Sequence, residues 1–120
     1  MNKRIKSFGY AFHGIGQTLK SEPNMRIHLV IAVLVVICGF LFKISTMEWL
    51  FCLFCFGLVF GAELFNSAIE SLVDLVSPEY HPLAGRAKDI AAGAVLVCAV
   101  FSAIGGLIIF VPKGWALLFS

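Results

Sequence analysis

The stretch GAELFNSAIESLVDL, residues 61–75, decides how this chain is read. It closes an uncharged apolar run, residues 49–62, and carries that run straight into Glu63, Glu70 and Asp74 with no proline between. At about 100° per residue these three acids fall within roughly 40° of one another on a helix, and Asn66 stands about 40° to the side of Glu70. They form one polar face on an otherwise apolar helix.

The composition places that helix in a bilayer. Of 120 residues, 60% are hydrophobic and only 13% charged, which is more apolar surface than a soluble core of this size can hide. Three runs stand out: residues 27–42 between Arg26 and Lys43, residues 49–62, and residues 90–112 between Asp89 and Lys113. A hydrocarbon core of about 30 Å takes about 20 helical residues. The third run spans easily, the first draws on its flanks, and the second completes its span only by including Glu63. Counted from Trp49, Glu63 lies about 21 Å along the helix, below the headgroups, and Glu70 about 10 Å further, near water.

The predicted fold is an all-α membrane protein, with an N-terminal amphipathic surface helix plus three transmembrane helices, in a single domain of residues 1–120. The surface helix is expected over residues 1–20 and the membrane helices over about 27–43, 49–75 and 88–111. Ile5, Phe8, Phe12, Ile15 and Leu19 recur at steps of three and four, with Lys6, His13, Gln17 and Lys20 largely off that stripe. Such a helix lies on the leaflet surface, packs against the spans, or does both. Ser21 is a candidate N-cap for the first span with Pro23 at an early position, and the two prolines within residues 77–82 mark a turn.

Lys3, Arg4, Lys6, Lys20 and Arg26, with Arg86 and Lys88, outnumber Lys43 and Lys113. The N-terminus and second loop are therefore predicted to be cytoplasmic in a multi-pass cell-membrane protein, with Trp49 and Trp115 at the outer interface. No unbroken apolar core follows the N-terminal lysines, so a signal peptide is not expected. Cys38, Cys52, Cys55 and Cys98 all fall in the apolar runs without His or further Cys partners, and read as packing residues.

A carboxylate at lipid depth costs a few kcal/mol and ordinarily lines a cavity or a protein interface. Three readings meet that condition: a hydrogen-bonded cluster that sets oligomer register, a proton or cation path in a non-catalytic oligomer, and an active site whose substrate is itself in the membrane. Glu22, Asn24, Arg26 and His28 before the first span, and Arg86, Lys88 and Asp89 before the third, put polar groups at the depth of Glu70 and favour the active site. Carboxylates beside basic residues suit a Mg²⁺-bound polyphosphate, because Mg²⁺ takes one or two carboxylates plus phosphate oxygens. The phosphate loop G-x-x-x-x-G-K-[ST] is absent, which excludes a Walker-type site.

The segments ELFNSAIESLVD and EYHPLAGRAKDIAAGAVL resemble the prokaryotic diacylglycerol kinase family, small membrane kinases that include undecaprenol kinases. The pattern E-x-x-N-x-A-I-E-x-x-x-D and the later A-K-D carry the resemblance, and KSFGYAF and SEPNMRIH extend it over nearly the whole chain. It implies a homotrimeric helical bundle with active sites shared between neighbouring subunits, ATP as phosphoryl donor with Mg²⁺, and a membrane lipid alcohol as acceptor at the cytoplasmic face, with no nucleic acid among the partners. By resemblance, Glu63 is the catalytic base, and Glu22 and Glu70 hold the divalent ions on ATP. Asn66, Lys88 and Asp89 surround the phosphates, and Tyr10, Glu79, Tyr80 and His81 contact the nucleotide. Lys3 and Lys6 lie where the family carries basic residues. Ser21 and Pro23 depart from the family pattern around Glu22. Glu79-Tyr80-His81 is similar to the diacylglycerol kinases, whereas His28, HPLA and AAGAVL are similar to the undecaprenol-kinase branch.

Overall fold

The computed structural model describes residues 2–119, in four helices: α1 (Lys3–Ser21), α2 (Pro23–Leu41), α3 (Thr46–Val76) and α4 (Pro82–Phe119). The last three are long and apolar enough to cross a membrane. At about 1.5 Å per residue, α3 with 31 residues runs for about 46 Å and α4 with 38 for about 57 Å, so both outreach the hydrocarbon core.

Each boundary has a local cause. Asn2 caps α1 by accepting from the Arg4 amide at 3.0 Å. The corner between α1 and α2 is one residue, Glu22, at φ −107° and ψ 110°. Proline disfavours the helical conformation of the residue before it, and Pro23 does so here while serving as the first residue of α2. Ser21 is therefore not the N-cap predicted from sequence. It ends α1, bonding the Gln17 carbonyl at 2.9 Å, and Glu22 takes the cap position without using its side chain. Arg26 closes the corner by donating to the Leu19 and Lys20 carbonyls at 3.0 and 2.7 Å, which satisfies acceptors left open at the end of α1.

The turn from α2 to α3 is a Schellman motif: the Ile44 amide donates to the Gly39 carbonyl and the Lys43 amide to that of Phe40. Lys43 occupies its left-handed position at φ 53°, where glycine is the usual residue, and Ile44 is buried. A capping box then starts α3 at Thr46, earlier than the apolar run suggests: Ser45 accepts from the Glu48 amide, and the Glu48 carboxylate accepts from that of Ser45. Glu48 also pairs with Lys113 of α4 at 3.3 Å.

α4 begins at Pro82, ahead of the predicted residue 88, because His81 Nδ1 accepts from the Leu83 amide and Pro82 suits a first helical turn. It continues past Pro112 to Phe119.

The subunit is a slab of 58 × 43 × 22 Å, about two helix diameters thick, and α4 packs mainly on α3. Few side chains are enclosed: Met25, Ala32, Ile44, Cys52, Ala91 and Val95, and among polar residues Thr18, Glu63 and Asn66. Ile5, Phe8 and Phe12 of the α1 stripe are exposed. Two glycines admit aromatic rings: an added Cβ would come within 2.1 Å of the Phe51 ring at Gly105 and within 2.6 Å of the Trp49 ring at Gly39, where Trp49 packs on Phe40 at 4.9 Å between centroids.

Two substitutions test this end of the slab. Lys43→Gly removes the left-handed strain and should raise stability by up to about 1 kcal/mol. Gly39→Ala should lower it by about 1–3 kcal/mol through overpacking against Trp49. Thermal unfolding in detergent followed by tryptophan fluorescence reads both, and opposite signs are expected.

Candidate active site

Glu63 is 1% exposed, the largest fully buried side chain among the described residues. Neither of its carboxylate oxygens has a hydrogen-bond partner, and the same holds for Asn66 Oδ1 and Ser67 Oγ one turn further along α3. Buried polar atoms in folded proteins are nearly all satisfied, so a cluster of orphans calls for a ligand or a function. The nearest charge-bearing contact to Glu63 is His28 of α2, with Nε2 at 3.5 Å from Oε2, at the outer limit of a hydrogen bond.

His28 also stands at the end of a half-open groove of about 600 Å³ between α2, α3 and α4. Val35 and Cys38 of α2, Phe56 and Phe60 of α3, and Ala103 of α4 are among the side chains that make its lining almost wholly apolar. The groove extends along the spans as far as Phe51 and Phe110, so an apolar slot runs to His28, and His28 in turn stands against the buried carboxylate of Glu63. Cys38, Cys52 and Cys55 line it as free thiols, in keeping with a packing role.

Along α3 toward Val76 the same face becomes wet. Glu70 is half-buried and Asp74 exposed, and Lys88 of α4 forms an ion pair with Asp74 while remaining close enough to feel the charge of Glu70. Glu22 is half-buried at the α1–α2 corner with its carboxylate free of capping. Asp89 is exposed beside Lys88.

The remaining predicted positions stay on the periphery. Tyr10 is exposed on α1, and Glu79, Tyr80 and His81 are exposed in the connection before α4, where the Ser77 hydroxyl donates to the Glu79 carbonyl at 2.9 Å. Among the described residues, no hydrogen bond or ion pair joins these four to the acidic face of α3, and no group of three or more His, Cys, Asp or Glu side chains could hold a metal. Arg26, read from sequence as a basic group at the site, is occupied in capping α1.

Two residues escaped the sequence reading. Ser67 lies one helical turn after Glu63, within about 40° of it, and that spacing was there to find. His28 was placed at the depth of Glu70, whereas the packing of α2 brings it to Glu63; only the tertiary fold could show this.

Three helices long and apolar enough to cross a membrane, with an apolar slot that runs to His28 and a buried carboxylate beside it, define an integral-membrane helical protein. Comparison with known proteins makes this specific. The sequence pattern of the prokaryotic diacylglycerol kinase family matches residues 9–110, and the chain belongs to that family. It is 49% identical over 113 residues to an undecaprenol kinase of Bacillus subtilis, covering 94% of this chain and 92% of that one. It is 33% identical over 100 residues to a diacylglycerol kinase of Escherichia coli, covering 83% and 82% of the two chains. A diacylglycerol kinase of Haemophilus influenzae is 32% identical over 108 residues, covering 88% and 92%.

Because Glu63 contributes no hydrogen bond to the fold, Glu63→Gln should leave stability unchanged or raise it by up to about 2 kcal/mol. Thermal unfolding of the purified protein in detergent measures this, and a loss above about 1 kcal/mol would show the carboxylate to be a structural element.

Proposed function

We propose that the protein is an ATP-dependent lipid kinase that transfers the γ-phosphate of ATP to the hydroxyl of a membrane lipid alcohol, diacylglycerol or undecaprenol. The single observation that carries this reading is Glu63, buried to 1% exposure, without a hydrogen-bond partner, and next to the end of an apolar groove. A lipid whose tail lies along the groove presents its hydroxyl at the depth of that carboxylate. Kinship to an undecaprenol kinase and to diacylglycerol kinases supports the reaction class.

In the reaction, Glu63 accepts the hydroxyl proton as the oxygen attacks the γ-phosphorus, the new P–O bond forms, and the bond to the β-phosphate oxygen breaks to release ADP. Excluding water from Glu63 keeps the phosphoryl group from hydrolysis. Asn66 and Ser67 offer unpartnered polar atoms beside the base, and Lys88 with Asp89 flanks the phosphates from α4. Glu22 and Glu70 fit Mg²⁺: both are half-buried carboxylates, a hard oxygen donor set to which phosphate oxygens add, and Glu22 is free of capping. When bound there, the ion supplies neutralising charge at the phosphates. Tyr10, Glu79, Tyr80 and His81 provide the outer, exposed contacts to the nucleotide.

The same reading assigns the protein to the cell membrane as a homotrimer with sites shared between subunits, α1 on the cytoplasmic leaflet and the α3–α4 connection on the same side. The exposed apolar stripe of α1 and the slab's thin core both support a partnered, lipid-embedded form.

The first experiment is Mg²⁺-dependent transfer from labelled ATP to diacylglycerol and to undecaprenol in parallel mixed micelles. Glu63→Gln should abolish transfer while the protein stays folded. Glu70→Gln should raise the concentration of Mg-ATP needed for half-maximal rate about tenfold or more. Wild-type protein, folded and oligomeric, that labels neither lipid would overturn the proposal, and unchanged metal dependence in Glu70→Gln would remove that residue from the ligand set.

A further inference from the structure

The geometry assigns His28 a part in the reaction as the residue that positions Glu63, an inference that rests on the kinase reading above. Three observations converge on it. Glu63 is enclosed with both oxygens unpartnered, so nothing in its own helix holds the carboxylate in one rotamer. Among the described residues, the one side chain placed to bond it is His28, whose Nε2 lies 3.5 Å from Oε2. His28 also lines the groove, so the imidazole stands between the apolar slot and the base.

A buried carboxylate without a donor has two ways to lower its energy: it takes up a proton, or it turns toward another polar group. Either one disables a base. An imidazole N–H directed at Oε2 opposes both, because it stabilises the ionised form and fixes the plane of the carboxylate. Oε1 is then left free for the incoming hydroxyl. The distance of 3.5 Å is long for a finished hydrogen bond, as catalytic contacts often are before substrate binds. A hydroxyl seated between groove and carboxylate excludes water and shortens it. His28 side-chain exposure is 19%, against 1% for Glu63, so of the two it is the histidine that is presented to the groove.

The alternative is that His28 is only a wall of the groove. The two roles separate kinetically: a wall contributes to lipid binding, whereas a positioning group contributes to turnover.

The test compares His28→Phe, which keeps a ring without a donor, with His28→Gln, which restores an N–H on a flexible arm. Each purified protein is assayed for phosphate transfer to whichever lipid the wild type labels, with thermal unfolding in parallel. His28→Phe should lower kcat about 10–100-fold, with the lipid and Mg-ATP concentrations for half-maximal rate within about twofold of wild type and stability retained. His28→Gln should recover at least a tenth of the wild-type kcat. Full turnover in His28→Phe, or a raised lipid requirement at unchanged kcat, overturns the assignment while leaving the kinase intact. A wild-type protein inactive on both lipids removes the kinase reading itself, so the two failures are told apart. Should His28→Phe fail to fold, His28→Asn replaces it: the shorter arm does not reach Oε2, and the same loss of kcat is expected.

Discussion

The enclosure of one carboxylate inside a lipid-embedded slab is the constraint around which the subunit is arranged. A charge in a low-dielectric surrounding is unfavourable by several kcal/mol, and protein dipoles or an opposite charge ordinarily offset it. Glu63 has neither in full, only an imidazole at 3.5 Å. To hold it there, α3 must run uninterrupted from its capping box at Ser45 to Ser77, so that a single rigid helix places apolar surface, buried acid and exposed acids at successive depths. The length of α3, the capping box at one end and the absence of proline within it all serve that requirement.

The basic residues are disposed differently from the acidic ones. Arg26 is engaged by two backbone carbonyls and Lys88 by Asp74. Lys113 is tied to Glu48 at the opposite end of the slab. On the kinase reading proposed above, a phosphate reaching Lys88 would have to displace Asp74, and the exposed position of that pair keeps such an exchange inexpensive because water screens both partners. The acids of the site stand largely uncommitted while its cations are already paired.

Much of this was legible in the sequence because helical periodicity is local. Glu63, Glu70 and Asp74 share a face by spacing alone, and the three apolar runs mark three helices. What the sequence hid depends on competition or on packing. Ser21 looked able to cap α2, and the backbone restriction imposed by Pro23 gave that position to Glu22 instead. Pro82 looked like a turn residue and proved to open α4, because His81 supplies the cap. The tie of Glu48 to Lys113 and the approach of His28 to Glu63 join residues far apart in the chain, which periodicity does not encode.

The corner at Glu22 has a mechanical consequence. Two helices of 19 residues meet there through a single residue, with proline fixing one side and the Arg26 guanidinium clamped to the other. Any swing of α1 relative to α2 must be taken up as rotation about the backbone bonds of Glu22 itself. The N-terminal helix is thus a lever about 28 Å long with a carboxylate at its fulcrum, and a force that tilts its far end is concentrated on the two backbone bonds that flank that side chain.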